Sequence, residues 1–159
     1  MRRPNPLISL AWILNITAWF LPVVTGVGGD NFGPFEGWQA FVAAASQTVP
    51  SQRLYTGYGV LLAILSALTS LFFVVGSPWV VLWGTRSLQR WSAWIAVAAF
   101  LFNAHWYLRL KPDGWISSLG AGYFVWWSSF AILAIGLFWA AGRNNAARAS
   151  QIQTALLPR

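Results

Sequence analysis

From Leu54 to Thr85 the chain carries no charged residue, and this run between Arg53 and Arg86 holds only apolar and small side chains with a few hydroxyls. The hydrocarbon core of a bilayer is about 30 Å thick, and about 20 apolar residues in a helix cross it. The run is therefore long enough to span and overshoot. The core helix of a soluble domain is rarely so long and so uniformly apolar, which places the chain among membrane proteins. As one straight helix it would measure about 48 Å, so something must absorb the excess. Gly76-Ser77-Pro78 is the place, because Pro78 removes a backbone donor and Ser77 is able to cap a new helix. Either the helix kinks there, or it ends and Trp79 to Trp83 lies along the interface. The span is written 57–76, with an extension to 84 left open.

Composition agrees. The chain of 159 residues has room for one domain; it is 57% hydrophobic and 8% charged, against about 25% charged in a typical soluble domain. A formal charge of +7 would suggest nucleic acid in a soluble protein. Here the basic residues sit in short segments between apolar runs, the pattern of topology signals and anionic-lipid contacts, so nucleic-acid binding is set aside. The absence of Cys removes disulfides, thiolate chemistry and Cys-based metal sites. The 12 Trp fit the interfacial enrichment of that ring in membranes.

Three further runs are long and apolar. Residues 7–27 follow Arg2 and Arg3; Asn15 and Pro22 interrupt them, and Val24-Thr25-Gly26 makes a poor cleavage site, so they are read as a retained helix and not a signal peptide. Gly28-Gly29-Asp30-Asn31 and Gly33-Pro34 then give turn chemistry. Trp38, Phe41, Val42 and Ala45 share one helical face, which predicts either a short amphipathic helix in the headgroup region or a loop carrying a few aromatics. Arg86 and Arg90 form a basic turn before a third span at 91–108, and Lys111-Pro112-Asp113-Gly114 reads as a tight turn before a fourth at 122–141. A polar tail, 142–159, is partly helical or disordered.

The expected fold is thus all-α: a polytopic membrane protein, an antiparallel four-helix transmembrane bundle with a short interfacial helix in the first outer loop. Four crossings put Arg2, Arg3, Arg86, Arg90, Arg143, Arg148 and Arg159 on one side. The other side holds Arg53, Arg109, Lys111 and the three acids, Asp30, Glu36 and Asp113. The Lys/Arg bias places both termini in the cytoplasm and the protein in the inner membrane. Trp38, Trp106 and Trp115 are expected to anchor the outer boundary, and Trp79 and Trp83 the inner one.

Lipid solvates Leu as well as another helix does, so the helices need close backbone approach and a few hydrogen bonds. Each run offers a stripe: Ala11, Asn15, Ala18 and Thr25; Gly59, Ala63, Ser66 and Ser70; Ser92, Ala96, Ala99 and Asn103; Gly122, Ser129, Gly136 and Ala140. Most steps are three, four or seven residues, which keeps each set on one face. Asn15 and Asn103 are the most polar groups within the spans and should face the bundle in interhelical bonds.

Chemistry is scarce. The three acids all fall in extramembrane segments, so paired carboxylates and a proton-coupled transport residue are lacking. The chain has neither a Gly-rich phosphate loop nor a metalloprotease or nucleophile-elbow motif, and no metal or catalytic residues are assigned. His105 is the weak candidate for a cofactor, as a lone ligand to haem or chlorophyll. It lies about 200° around the helix from Asn103, which points it toward headgroups or a partner. The bland reading, an interfacial polar residue, is preferred, and no cofactor is assigned.

The segment Gly122-Tyr123-Phe124-Val125-Trp126-Trp127-Ser128-Ser129-Phe130, with Gly37-Trp38 and Ser77-Pro78-Trp79, resembles small bacterial inner-membrane proteins of four helices. That group has no assigned activity, so the resemblance implies a topology and no residue roles. The expectation is a non-catalytic accessory, assembly or scaffold subunit, whose partners are the bilayer, anionic lipids at the cytoplasmic face, and other membrane subunits or itself. The alternative is a small oligomeric channel or transporter lined by Asn15, Ser66, Ser70 and Asn103. A third reading is a haem- or pigment-binding subunit using His105.

Overall fold

The structure, a computed structural model, describes residues 5–27, 34–49, 57–109 and 116–155. Helix α1 (Pro6–Trp19) is fixed at its start by Asn5, whose Oδ1 accepts the Leu7 N–H at 3.1 Å, and by Pro6 at a position that needs no donor. It ends where Phe20 leaves helical geometry at φ −105°, ψ 0°. Pro22 then disfavours helix at Leu21, and Val23, Val24 and Thr25 are β-branched. The chain continues as strand β1 (Pro22–Val27). This corrects the expected helix over 7–27: its last third is extended, because local propensity there opposes a helix.

β1 is the centre of a three-stranded antiparallel sheet, flanked by β2 (Phe35–Glu36) and β3 (Ile116–Leu119). Pro22 pairs with Glu36, and Val24 with both Phe35 and Leu119. The Thr25 and Ser118 hydroxyls meet at 2.6 Å, so Thr25 belongs to this sheet and not to the stripe on α1. The chain is mostly helical, as expected, but this small sheet was not foreseen. It ties the first connection to the last at the end of the bundle where α1 finishes.

Helix α2 (Gly37–Ser46) lies in the first connection. The Glu36 N–H donates to Gln39 Oε1 at 2.9 Å, the Gly37 N–H to the Leu21 carbonyl at 3.1 Å, and Phe41 sits 5.3 Å from the Trp19 ring. Helix is therefore the outcome of the two alternatives for this segment. Trp38 and Val42 remain exposed.

Helix α3 (Tyr58–Leu71) passes through a π-helical segment, Phe72–Gly76, into α4 (Ser77–Trp83), making one rod of 26 residues. Pro78 has no N–H, so the ladder widens around it: the Ser77 N–H reaches the Phe72 carbonyl five residues back. The Ser77 hydroxyl donates to the Phe73 carbonyl at 2.6 Å and accepts Trp12 Nε1–H at 2.9 Å. The helix thus runs on to Trp83, and Ser77 mends a ladder instead of capping a new helix. Ser77→Ala should leave both the Phe73 carbonyl and the Trp12 indole without partners, at a cost of about 1–2 kcal/mol. Once Ser77 is Ala, Trp12→Phe should cost only its lost ring packing, less than on the wild-type background by the worth of the shared bond. Additive losses in a double-mutant unfolding cycle would sink this account.

Gly84 and Thr85 make the next turn, with the Thr85 hydroxyl accepting the Leu88 N–H at 3.3 Å. Helix α5 (Arg86–Asn103) follows, so Arg86 and Arg90 lie on its first two turns, not in a connecting turn before residue 91. It stops at Asn103, and α6 (His105–Arg109) begins after Ala104, so the expected continuous span at 91–108 is broken near its C-terminal end. Helix α7 (Ala121–Ala155) is the longest, and its backbone stays helical from Gly142 through the polar tail to Ala155.

The contacts set direction. Asn5 Nδ2 donates to the Gly136 carbonyl at 3.1 Å and Asn15 Nδ2 to Ser129 Oγ at 3.1 Å, so α1 runs antiparallel to α7. Trp127 stacks on Phe100 at 4.6 Å, and Trp94 meets Phe138 edge-on at 5.2 Å, which makes α5 antiparallel to α7 as well. Between these arms α7 supplies Phe130, Leu133 and Leu137, while α5 presents Ala93, Ala96 and Ala99. The small face of one helix receives the large face of the other. Phe73 closes the core against Phe130 at 5.1 Å.

Two helices, Tyr58–Trp83 and Ala121–Gly142, are long and apolar enough to cross a membrane. The 14 residues of α1 reach about 21 Å.

Candidate functional site

Polar side chains converge where α3, α5, α6 and α7 meet at the sheet end of the bundle. Asn103 is the hub. Its Oδ1 accepts the Ser66 hydroxyl at 2.7 Å, and its Nδ2 donates to Thr69 Oγ1 at 3.0 Å and to the Ala99 carbonyl at 2.8 Å. The Thr69 hydroxyl turns back to the Ser66 carbonyl at 2.8 Å, and Trp106 Nε1–H reaches Ser66 Oγ at 2.9 Å. Each hydroxyl donates once and accepts once. Such a chain polarises its members and holds the helices in one register.

The end of α5 explains the aromatic residues around this hub. A helix leaves its last carbonyls without helical partners, and in an apolar setting each needs a donor. Trp127 Nε1–H donates to the Phe100 carbonyl at 2.7 Å, and the Tyr123 hydroxyl to the Asn103 carbonyl at 2.7 Å. His105 Nδ1 lies 2.7 Å from the Phe102 carbonyl, so that nitrogen carries the proton. The imidazole is half-buried between the rings of Phe102 at 4.9 Å and Trp106 at 4.6 Å, and its Nε2 is shielded from solvent. Its geometry is that of a helix cap, with no open face for a cofactor's metal.

A second polar contact joins α1 to α7. The Ser129 hydroxyl accepts from Asn15 and donates to the Trp126 carbonyl at 2.6 Å, while Asn15 Oδ1 accepts Trp19 Nε1–H at 3.3 Å. Gly136 and Ser129 on α7 face Ile8 and Asn15 on α1, a step of seven on each helix, and Gly122 faces Leu21 and Pro22 where the chain has left α1 for β1. A Cβ at Gly122 would lie 2.7 Å from the Leu21 carbonyl oxygen, and one at Gly136 2.8 Å from Ile8 Cγ1. Gly136 thus sets how closely α1 and α7 approach, and Gly122 how closely α7 approaches the start of β1.

The polar residues singled out in the sequence therefore fall into two separate groups, Asn15 with Ser129 and Asn103 with Ser66. Ser70 returns its proton to the Ser66 carbonyl at 3.3 Å. Of the stripe residues, Ala11, Ala18, Ala63, Ser92, Ala96 and Ala99 are buried, and Gly59 and Ala140 are half-buried. Trp79 and Trp83 are exposed, their rings tilted against each other with centroids 4.8 Å apart, and Trp38 is exposed with its N–H on Glu36 Oε2 at 2.7 Å. Trp106 is half-buried and its N–H points inward to Ser66. Trp115, Asp30, Arg53, Lys111 and Asp113, with the turns at 28–31 and 111–114, lie outside the described residues. Thr69, Tyr123 and Trp127 were missed as polar partners. The available signal was chemical: a Tyr or Trp within an apolar helix carries a polar tip that must find a partner once buried.

Among the described residues no three His, Asp or Glu side chains gather as a metal site would require. No family model, curated protein or solved structure matches the chain.

Proposed function

We propose that this chain is an inner-membrane protein that crosses the bilayer four times with both termini in the cytoplasm. It acts without catalysis, as an accessory, assembly or scaffold subunit of a larger membrane complex. One observation carries the reading, the way the side chains are sorted. Buried positions are largely Ala and Ser with Asn15 and Asn103, whereas Ile13, Ile16, Leu61, Leu68, Leu101 and Ile135 are exposed on all four arms. A monomeric soluble protein rarely exposes apolar patches beyond a few hundred Å², whereas lipid accepts a surface of this kind. The short α1 is accommodated by its packing on α7 and by local thinning of the bilayer. Helix α2 lies in the outer headgroup region with Trp38 and Val42 turned to lipid, in keeping with the resemblance to small four-helix inner-membrane proteins.

Two other readings draw less support. A channel needs a row of hydratable groups, yet Asn15, Ser66 and Asn103 pair within the bundle, and Phe73, Phe130, Leu133 and Leu137 fill its core. Haem or pigment ligation would have to use His105 Nε2, since Nδ1 is committed to the Phe102 carbonyl, and Nε2 is shielded in the bundle.

A cytosol-active fluorescent reporter fused after Arg159 should glow, and the protein should stay in the membrane pellet after an alkaline carbonate wash. In mild detergent it should migrate with a defined larger partner. A dark full-length fusion or carbonate release would remove the topology. Migration alone under every mild extraction would remove the subunit role.

A further inference from the structure

Eight of the tryptophans differ by the end of the bundle at which they lie. Toward the sheet end, Trp19, Trp106 and Trp127 turn their N–H groups into the protein. At the opposite end Trp79, Trp83, Trp91, Trp94 and Trp139 are between 52% and 67% exposed. This second group surrounds the Gly84-Thr85 turn, from which Arg86 and Arg90 rise on the first two turns of α5. Counted from that turn, Trp83 is level with Arg86 and Trp79 with Arg90, so ring and cation share the same depth in steps of about 1.5 Å per residue.

Among the described residues the one acid, Glu36, ends β2 at the sheet end, away from these charges. The α4–α5 hairpin is thus basic and rimmed by amphipathic rings. An indole belongs at headgroup depth, and an arginine there reaches past apolar surface to a phosphate. We propose that Arg86 and Arg90, with Trp79, Trp83, Trp91 and Trp94 around them, form a docking surface for anionic phospholipid headgroups. This rests on the membrane reading above and adds to it a lipid preference located at the α4–α5 hairpin.

The test uses the full chain in nanodiscs of phosphatidylcholine with a minor share of phosphatidylglycerol, with protein-retained lipid counted by native mass spectrometry. Phosphatidylglycerol should be enriched over its share in the disc. Removing the charge should weaken that preference by about fivefold per arginine, so Arg86→Gln with Arg90→Gln should bring retention near the bulk ratio. Arg86→Lys with Arg90→Lys should keep most of the enrichment and serves as the folding control, alongside a thermal melt of each variant. Inorganic phosphate in millimolar excess should compete weakly, because the rings need acyl-chain contact as well as an anion. Equal retention of both lipids by the wild type, or full enrichment in a folded double-Gln variant, overturns the proposal. So does full displacement by free phosphate, or protection of the hairpin by an acidic protein partner in place of lipid. Release of the wild type by carbonate would instead strike the underlying membrane reading, so the two failures are distinguishable.

Discussion

Gly122→Leu should be among the most damaging single substitutions in this protein, lowering its unfolding free energy by about 3 kcal/mol. The new Cβ would sit 2.7 Å from the Leu21 carbonyl oxygen and 2.9 Å from that of Pro22, and backbone cannot rotate aside as a side-chain tip does. The contact between α7 and the start of β1 must open there, which also strains the Asn15–Ser129 bond one heptad along α7. Gly136→Leu should cost somewhat less, about 2 kcal/mol, because its nearest obstacle is the Ile8 side chain. Gly142→Leu is the built-in control: nothing lies within 4 Å of its Cβ, and the change should be near neutral. Steric-trapping unfolding in bicelles would measure all three. If Gly122→Leu proved as stable as Gly142→Leu, the close approach of α7 to Leu21 and Pro22 would be wrong.

The second large effect is expected at Asn103. Leu fills a similar volume but supplies no donor or acceptor, so Ser66 and Thr69 lose their partner on α5 together. Hydrogen bonds between membrane helices average well below those in apolar solvents, because the unfolded chain in lipid also finds partners. Two bonds lost at a shared hub still predict about 2 kcal/mol for Asn103→Leu. Ser66→Ala on that background should then cost less than it does alone, because only its bond from Trp106 is left to lose. A coupling of about 1 kcal/mol in the cycle would report the bond. A near-zero coupling with a stable Asn103→Leu would show the hub to be incidental.

Much of the arrangement was legible in the residues. Small and polar residues at three-, four- and seven-residue steps became the buried faces because helical geometry alone puts them on one side. Asn15 and Asn103 turned inward because an amide without partners is costly away from water. The same reasoning did not give the partner of Trp106, whose N–H the fold uses against Ser66. It also failed for His105: its angle from Asn103 was counted along an unbroken helix, and the helix breaks at Ala104.

Runs of apolar residues, alternating arginine-rich and acid-bearing connections and the periodicity of small side chains are local properties, and the sequence by itself determined them. It thereby determined a mostly helical chain with an apolar exterior and the positions of its buried faces. Only the tertiary structure decided what requires two distant segments to meet. Val24 finds Leu119 across the sheet, Trp12 reaches Ser77 beside a proline, and three aromatic donors close the end of α5. The reason is that a backbone donor or acceptor must be satisfied by something, but a sequence does not state by which residue. Packing selects that partner once the helices are set side by side.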